Sequence, residues 1–320
     1  MKKIVLPGLA AIISLAACAA IAQDYPARPV RIIVTFPPGG GADLLARIIG
    51  KQLSEKWGQT VLIDNRPGGD GANGAAAGAK APPDGYTILM IISTHTVLPS
   101  LKNDLLYDMT KDFLPVIRMA EAPNAVVVPP SFPARNIPEL IAIAKKHPGK
   151  LDYPGSGLGG PAHLAGVLFD RMAGTQMTFI PYKGTGPSLI ALMGGQVHIM
   201  FPAITGALPH VRAGKLRALG VTSEQRSPVL PQVPTVGESL KGYVFVGWYG
   251  FVVPAVTPAA IADKINADTA AALGNPEIKS FLAGEGLTAA ISSPAQFAAY
   301  IAAEVKKSAR LVADAGLRKN

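Results

Sequence analysis

Residues 30–50 read VRIIVTFPPGGGADLLARIIG, and this stretch decides the fold class. Residues 30–36 are an apolar, largely β-branched run, long enough for a buried strand. Glycines 39–41 form a turn, and the apolar residues from 42 to 57 then recur at helical spacing. The stretch therefore predicts a strand, a glycine-rich turn and a helix in succession.

The same alternation continues along the chain and restarts near Glu121, where a second unit begins. This unit has its own glycine-rich turn at 155–160, followed by a predicted helix at 162–172. Further strands are predicted at 61–63, 86–92, 125–128, 151–153, 178–180, 197–201 and 218–222, a long apolar segment lies at 244–253, and further helices are predicted at 72–81, 138–146, 187–193, 259–273 and 294–315. Strands that alternate with helices indicate an α/β fold with parallel sheets.

Length and composition support two globular domains. The chain has 320 residues, and domains commonly have about 150. Hydrophobic residues make up 49% and charged residues 16%, which supplies core material and excludes a disordered chain. The single Cys excludes a disulfide framework and a cluster of thiolate metal ligands.

The N-terminus predicts export. A basic start is followed by uncharged residues 4–22, which end in the small-x-small pattern Ala20-Ile21-Ala22 of a signal peptidase site. Pro7 interrupts the stretch and argues against a membrane span, so we expect residues 1–22 to be a signal peptide and the mature chain to be soluble. Residues 15–18, LAAC, also resemble a lipobox, which leaves a lipid anchor on Cys18 as an alternative.

The charge pattern excludes nucleic acid as a partner. The net charge is +9, but the basic residues are scattered, and aromatic residues are only 6%. Little is therefore available to stack bases on or to follow a phosphate backbone. Small acidic ligands remain compatible with the positive charge.

Both glycine-rich turns precede a helix, and this arrangement favours anion binding. Helix starts leave backbone N–H groups unpaired and carry partial positive charge. Two such turns at the carboxyl ends of strands predict a site for a carboxylate or phosphate, although glycines can also simply close tight turns. Asp43 would repel an anion if it faced the site, and is better interpreted as a first-turn helix acid.

Other chemistries are poorly supported. The turn at 155–160 matches GxGxxG but lacks the acidic residue that dinucleotide-binding proteins carry about 20 positions later. The five histidines show no zinc-binding spacing, so we expect no cofactor and no metal. Ser156 is not in a GxSxG context, and His163 is better interpreted as a hydrogen-bonding group than as a base.

Several blocks, taken in order, resemble one known family over essentially the whole mature length. They read PGGGADLLAR at 38–47, DNRPGG at 64–69 with PDGYT at 83–87, YPGSGLGGPAH at 153–163, PYKG at 181–184 with GGQV at 194–197, RAGKLRAL at 212–219, and VPTV at 233–236. The family is the Bug-type receptors, the periplasmic substrate-binding components of tripartite tricarboxylate transporters.

The resemblance implies a two-domain periplasmic-binding-protein fold, type II-like, with a ligand cleft between the domains. It places the C-terminal helices in the first domain, so that residues 24–123 and 244–320 form domain 1 and residues 124–243 form domain 2. Relatives often carry an acidic residue just beyond the position of Phe201, where this chain has PAIT. An amine-bearing ligand therefore loses one plausible counter-ion.

The resemblance also implies a set of ligand-binding residues. The glycine-rich turns would hold the carboxylate, partly through backbone groups, and other positions would line the cleft. The first group is Phe36, Pro38, Gly39, Gly40, Ser156 and Gly157, and the second is Ser93, Thr94, His163, Tyr182, Lys183 and Gly184.

The expected function is that of a receptor without catalytic activity. It would be a monomer in the periplasm, bind a small organic carboxylate and deliver it to the permease subunits of a tripartite tricarboxylate transporter. Two alternatives stay open: an exported serine hydrolase that uses Ser156 and His163, and a sensory partner whose ligand serves only to signal.

Overall fold

The computed structural model of the protein describes residues 25–314, 316 and 317. The predicted signal peptide and Cys18 lie outside these residues. Within the described part of the chain, no helix has the length and apolar character needed to cross a membrane.

A six-stranded mixed sheet forms the first lobe, in the order β10-β4-β9-β3-β1-β2. Its strands are β1 (Val30–Val34), β2 (Val61–Asn65), β3 (Thr87–Ile92), β4 (Phe113–Pro123), β9 (Val246–Pro254) and β10 (Thr288–Ala289). The prediction of parallel strands holds for β1, β2 and β3. It is wrong for β9, which lies antiparallel to both β3 and β4, because the chain returns from the second lobe and enters the sheet between them.

Both faces of this sheet are covered by helices. They are α1 (Gly41–Trp57), α2 (Ala72–Ala79), α3 (Thr94–Leu101), α8 (Ala259–Gly274), α9 (Pro276–Gly284) and α10 (Pro294–Asp314). Successive strand residues face opposite sides, so Ile32 packs in one core with Leu45 of α1, while Ile33 packs in another with Phe297 of α10. Burial on both faces explains why β1 is apolar at nearly every position.

The second lobe is built on two shorter strand pairs. Strands β5 (Ala125–Val128) and β8 (Arg217–Val221) are antiparallel, and β6 (Asp152–Gly155) and β7 (Thr178–Pro181) are parallel. Its helices are α4 (Ile137–Lys146), α5 (Pro161–Ala173), α6 (Thr185–Met193) and α7 (Ile204–Arg212). Buried aromatic side chains dominate its core, with Tyr153, Phe169, Phe201 and Tyr243 at most 2% exposed.

The strand predicted at 197–201 is not a regular strand. Met200 forms an isolated bridge with Val127, so the segment does join β5. On its other side, however, the N–H groups of His198 and Ile199 both donate to the carbonyl of Asp152. Consecutive N–H groups that converge on one carbonyl break the alternating ladder that a regular strand requires.

The chain passes between the lobes next to Asn124, which separates β4 from β5. The Asn124 side chain is buried and donates to the carbonyl of Phe201, and the backbone N–H of Asn124 donates to Thr222 Oγ1 at 2.7 Å. This crossing is therefore tied into the second lobe on both sides. The domain boundaries predicted at 123/124 and 243/244 stay a prediction.

Candidate functional site

A cavity of about 820 Å³ lies between the two lobes. Its walls are mostly loops that follow the carboxyl ends of strands, the usual position for ligand sites in α/β folds. The first lobe contributes Phe36, Pro37, Pro67, Gly68, Gly69, Asp70, Gly71, Leu101, Lys102 and Asp104, and the second contributes Ser156, Gly157, Leu158, Pro181, Tyr182, Lys183 and Gly184.

Residues 67–71, here called the Asp70 loop, form the first-lobe wall. Four successive residues of this loop have positive φ: Gly68 at 119°, Gly69 at 59°, Asp70 at 60° and Gly71 at 98°. Among the described residues, Asp70 is the only non-glycine residue with this conformation. Lys102 Nζ holds the loop, since it donates to the carbonyl of Gly69 at 3.2 Å and pairs with Asp70 Oδ2 at 3.0 Å.

The second-lobe wall is formed where β6 and β7 end side by side. Gly155 and Pro181 are register partners, and the N–H of Tyr182 donates to the carbonyl of Gly155 at 2.8 Å. Ser156 and Lys183 therefore emerge next to each other, close to the start of α6, whose N-cap is Gly184. Ser156 Oγ makes no hydrogen bond with a described residue, so this hydroxyl is available to a ligand.

His163 supports the glycine-rich turn from behind. The imidazole is 3% exposed, and Nδ1 accepts a hydrogen bond from the N–H of Gly159 at 2.9 Å. Its ring centroid lies 4.1 Å from that of Phe179. Burial lowers the pKa of His163 to about 4, so the ring is neutral at pH 7. The prediction that His163 contacts the ligand is not supported, because the side chain does not line the cavity.

Ser93, Thr94 and His95 do not line the cavity. All three are buried, and neither hydroxyl has a hydrogen-bond partner among the described residues. The ring of His95 is tucked under Gly71, where a β-carbon would lie 3.1 Å from Nε2. Burial lowers the pKa of His95 to about 4. The structure therefore buries Ser93 and Thr94 and does not place them on the predicted cleft surface.

The glycine-rich turn of the first lobe also differs from the prediction. Phe36 lines the cavity, but Pro38, Gly39 and Gly40 are exposed and lie outside it. The N–H of Gly39 is already taken, because it donates to Asp43 Oδ2 at 3.0 Å. Burial opposes ionisation of Asp43, but hydrogen bonds from Arg47, Gly39 and Asn65 hold the pKa of this carboxyl below its usual value. Asp43 thus ties the turn to α1, and it does not line the cavity.

This geometry predicts different tolerance at two neighbouring glycines. We expect Gly40→Ser to change the free energy of unfolding by less than about 0.5 kcal/mol, because Ser is a good N-cap residue and the nearest atom to a β-carbon is 4.0 Å away. Gly41→Ser should cost about 1–3 kcal/mol, because its β-carbon would collide with Tyr249 Oη, which belongs to a buried side chain. Urea unfolding of both variants measures the difference, and equal costs would contradict this placement of α1.

The lining residues that the sequence did not predict are mainly those of the Asp70 loop and of the segment 101–104 at the end of α3. One signal was present: the turn after β2 is glycine-rich, and β2 is parallel to β1. Since parallel neighbours end at the same sheet edge, the turn after β2 had to lie beside Phe36. Lys102 gave no such signal, because the helix that places it was not predicted.

Comparison with known proteins gives one consistent family. A family model described as "Tripartite tricarboxylate transporter family receptor" matches residues 45–317. Three solved structures are similar to this chain. R. palustris Rpa4515 with adipate has 35% identity and a TM-score of 0.89 over 93% of this chain and 100% of that one. The periplasmic binding protein BugD has 32% identity and a TM-score of 0.86 over 92% and 100%. MatC from Rhodopseudomonas palustris with bound malate has 31% identity and a TM-score of 0.83 over 90% and 100%.

These matches confirm the predicted fold class, the α/β two-domain periplasmic-binding-protein fold. They cover 90–93% of this chain. The chain therefore belongs to the receptors of the tripartite tricarboxylate transporter family, as do the Bug proteins that its sequence resembles.

Proposed function

We propose that this protein is a periplasmic receptor that binds a small organic carboxylate in its cleft and delivers it to the permease subunits of a tripartite tricarboxylate transporter. The observation that carries the proposal is the cavity itself, closed on one side by the glycine-rich edge of the second lobe and on the other by the Asp70 loop. Similar receptors hold adipate and malate, both small carboxylates.

The carboxylate is proposed to bind where β6 and β7 end. Ser156 offers an unpaired hydroxyl, Lys183 an exposed ammonium group, and the start of α6 offers backbone N–H groups and the positive end of a helix dipole. Together these groups can neutralise one carboxylate without a buried arginine. Gly39 has no free N–H for this arrangement, since its N–H donates to Asp43.

Delivery requires that the ligand favour one arrangement of the lobes over the other. A ligand that touches both walls stabilises the closed form, and the closed form is what a permease can distinguish from the empty receptor. Removal of residues 1–22 and residence in the periplasm belong to the same proposal. A lipid anchor on Cys18 would attach the protein to the membrane without changing the proposed binding site.

A hydrolase that uses Ser156 and His163 gains no support from this geometry. A base must accept the proton of the nucleophile, but His163 Nδ1 accepts the N–H of Gly159, and the ring is buried against Phe179. The imidazole is thus occupied in holding the turn.

Thermal denaturation with added ligands tests the proposal. A ligand present at 100 times its dissociation constant adds about 2.7 kcal/mol to the stability of the folded state. We expect the melting temperature to rise by several degrees with at least one member of a panel of aliphatic monocarboxylates, dicarboxylates and ω-amino carboxylates. Hexane-1,6-diol, which has the chain of adipate without its charges, is the matched control and should cause no shift. If no carboxylate raises the melting temperature, the proposed function is wrong.

A further inference from the structure

The Asp70 carboxylate reaches across the cleft to the second lobe. A β-carbon on Gly157 would collide with Asp70 Oδ1, so the carboxylate lies directly against the glycine-rich turn on the opposite wall. It therefore occupies the place where the sequence predicted a ligand carboxylate at Gly157. A second negative group could not take that position without strong repulsion.

The two oxygens of Asp70 are in different situations. Oδ2 is paired with Lys102 Nζ at 3.0 Å, and the same ammonium group holds the carbonyl of Gly69. Oδ1 accepts no hydrogen bond from any residue that the structure describes, although the Asp70 side chain is only 25% exposed. An ionised oxygen in a partly enclosed cleft is stabilised by a donor, and preferably by a charged one.

The backbone conformation and Lys102 hold the Asp70 side chain in this position. Asp70 has φ 60° and ψ 29°, within a run of left-handed glycines, and Lys102 fixes both its backbone neighbour and its carboxylate. Left-handed backbone is unusual outside glycine, although Asp and Asn tolerate it best. Conformations of this kind persist where the surrounding structure holds them, and they cluster at ligand sites.

The charges that line the cavity also disfavour a second negative group near Asp70. They are Asp70, Asp104, Lys102 and Lys183, and they sum to zero at pH 7. Lys102 forms an ion pair with Asp70. Among the described lining residues, Lys183 is therefore the cation that can pair with a ligand carboxylate. The second carboxylate of a dicarboxylate would lie against the wall that already carries the negative charge of Asp70.

We propose that Asp70 makes the cleft selective for ligands that carry one carboxylate at the Ser156–Lys183 end and a hydrogen-bond donor, above all an ammonium group, at the Asp70 end. The inference rests on the proposed carboxylate-binding function and narrows its ligand class. Asp70, on the opposite lobe, would supply the negative counter-ion for an amine that the sequence lacks after Phe201.

Matched ligand pairs test this selectivity by titration calorimetry. Adipate is compared with 6-aminohexanoate, glutarate with 5-aminopentanoate, and succinate with 4-aminobutanoate, so that each pair differs in one terminal group. For the wild-type protein we expect the amino member of at least one pair to bind about ten- to a hundredfold more tightly than its diacid, as a charge-assisted hydrogen bond predicts.

Asp70→Asn should remove most of this preference and bring the two members of the pair to within a fewfold of each other. Asn tolerates the left-handed conformation, and Asp70→Gly, which has no steric cost at positive φ, is a second variant with the same expected result. Asp263→Asn removes one negative charge from an exposed position on α8, outside the cavity, and should leave the preference within about twofold of the wild-type value.

The outcomes separate this inference from the proposed function. If diacids bind more tightly than their amino partners, or if both Asp70 variants keep the wild-type preference, the inference is wrong while carboxylate binding stands. An equal loss of preference in Asp263→Asn would also overturn it, since net charge alone would then explain the selectivity. If neither member of any pair binds to the wild type, the inference is wrong, and the thermal denaturation panel decides separately whether the carboxylate function stands.

Discussion

Lowering the pH from 7 to 5 is expected to reduce the free energy of unfolding by about 4 kcal/mol, because two buried histidines resist protonation in the folded state. His95 lies beneath the Asp70 loop, and His163 holds the glycine-rich turn of the opposite wall. The imidazoles therefore support both walls of the cleft, and acid should weaken both.

The direction follows from the pKa values. Burial lowers the pKa of each imidazole to about 4, whereas an exposed histidine titrates near 6.5. The stability that depends on neutral imidazoles is fully present above pH 6.5, is lost as the pH falls from the unfolded-state pKa of about 6.5 towards the folded-state pKa of about 4, and levels off below that. Between pH 7 and 5 each histidine accounts for about 2 kcal/mol. Asp170 acts in the opposite direction, because burial raises its pKa, but its shift is smaller.

Urea unfolding at pH 7 and pH 5 measures the effect. His163→Asn keeps an acceptor for the N–H of Gly159 but removes the titrating group, so this variant should lose about half of the pH dependence. His147→Asn, at an exposed histidine, is the matched control and should behave like the wild type. Full wild-type pH dependence in His163→Asn would show that this imidazole is not held neutral by burial.

The sequence predicted those elements whose pattern is set by local packing. β1, its glycine-rich turn and α1 were predictable, because an apolar strand buried on both faces precedes a helix with one apolar side. β5 was predicted with the bounds that the structure has, since Ala125–Val128 is buried at every position. In such segments the apolar positions in the sequence are also the positions that the fold buries.

Elements that depend on distant partners were missed. α3 begins at Thr94 and contains Pro99, so neither its composition nor its spacing resembles a helix, and it forms against α10 and β3. β4 contains Pro115 and Pro123 and two register irregularities, which hide the strand in the sequence. Its pairing with β9 joins residues more than a hundred positions apart, which local patterns cannot reveal.

The candidate site was predicted in part for the same reason. Ser156, Gly157 and Tyr182–Gly184 line the cavity. The first two were predicted from the glycine-rich turn that follows a strand, and the other three were implied by the family resemblance. Gly39 was predicted to bind the ligand but lies outside the cavity, because the sequence does not show that its N–H would donate to Asp43. Asp70 was not predicted, since its role depends on a left-handed backbone and on Lys102, the residue after α3, which the fold brings to it.

Ser156→Ala is expected to weaken carboxylate binding about ten- to a hundredfold. The Ser156 hydroxyl is unpaired at the proposed carboxylate position, and a hydrogen bond to a charged group is worth about 1.5–3 kcal/mol. Lys183→Ala should have a smaller effect of a fewfold, because Lys183 is exposed and its attraction for the ligand is screened by water.

Titration of the wild type and Ser156→Ala with the carboxylate that gives the largest thermal shift is the most direct test of the proposed binding site. Ser239→Ala, at an exposed serine outside the cavity, is the matched control and should bind within about twofold of the wild type. We expect a loss of at least about tenfold in Ser156→Ala with unchanged stoichiometry. Equal affinity in the wild type and in Ser156→Ala would show that the carboxylate is not held at the edge where β6 and β7 end.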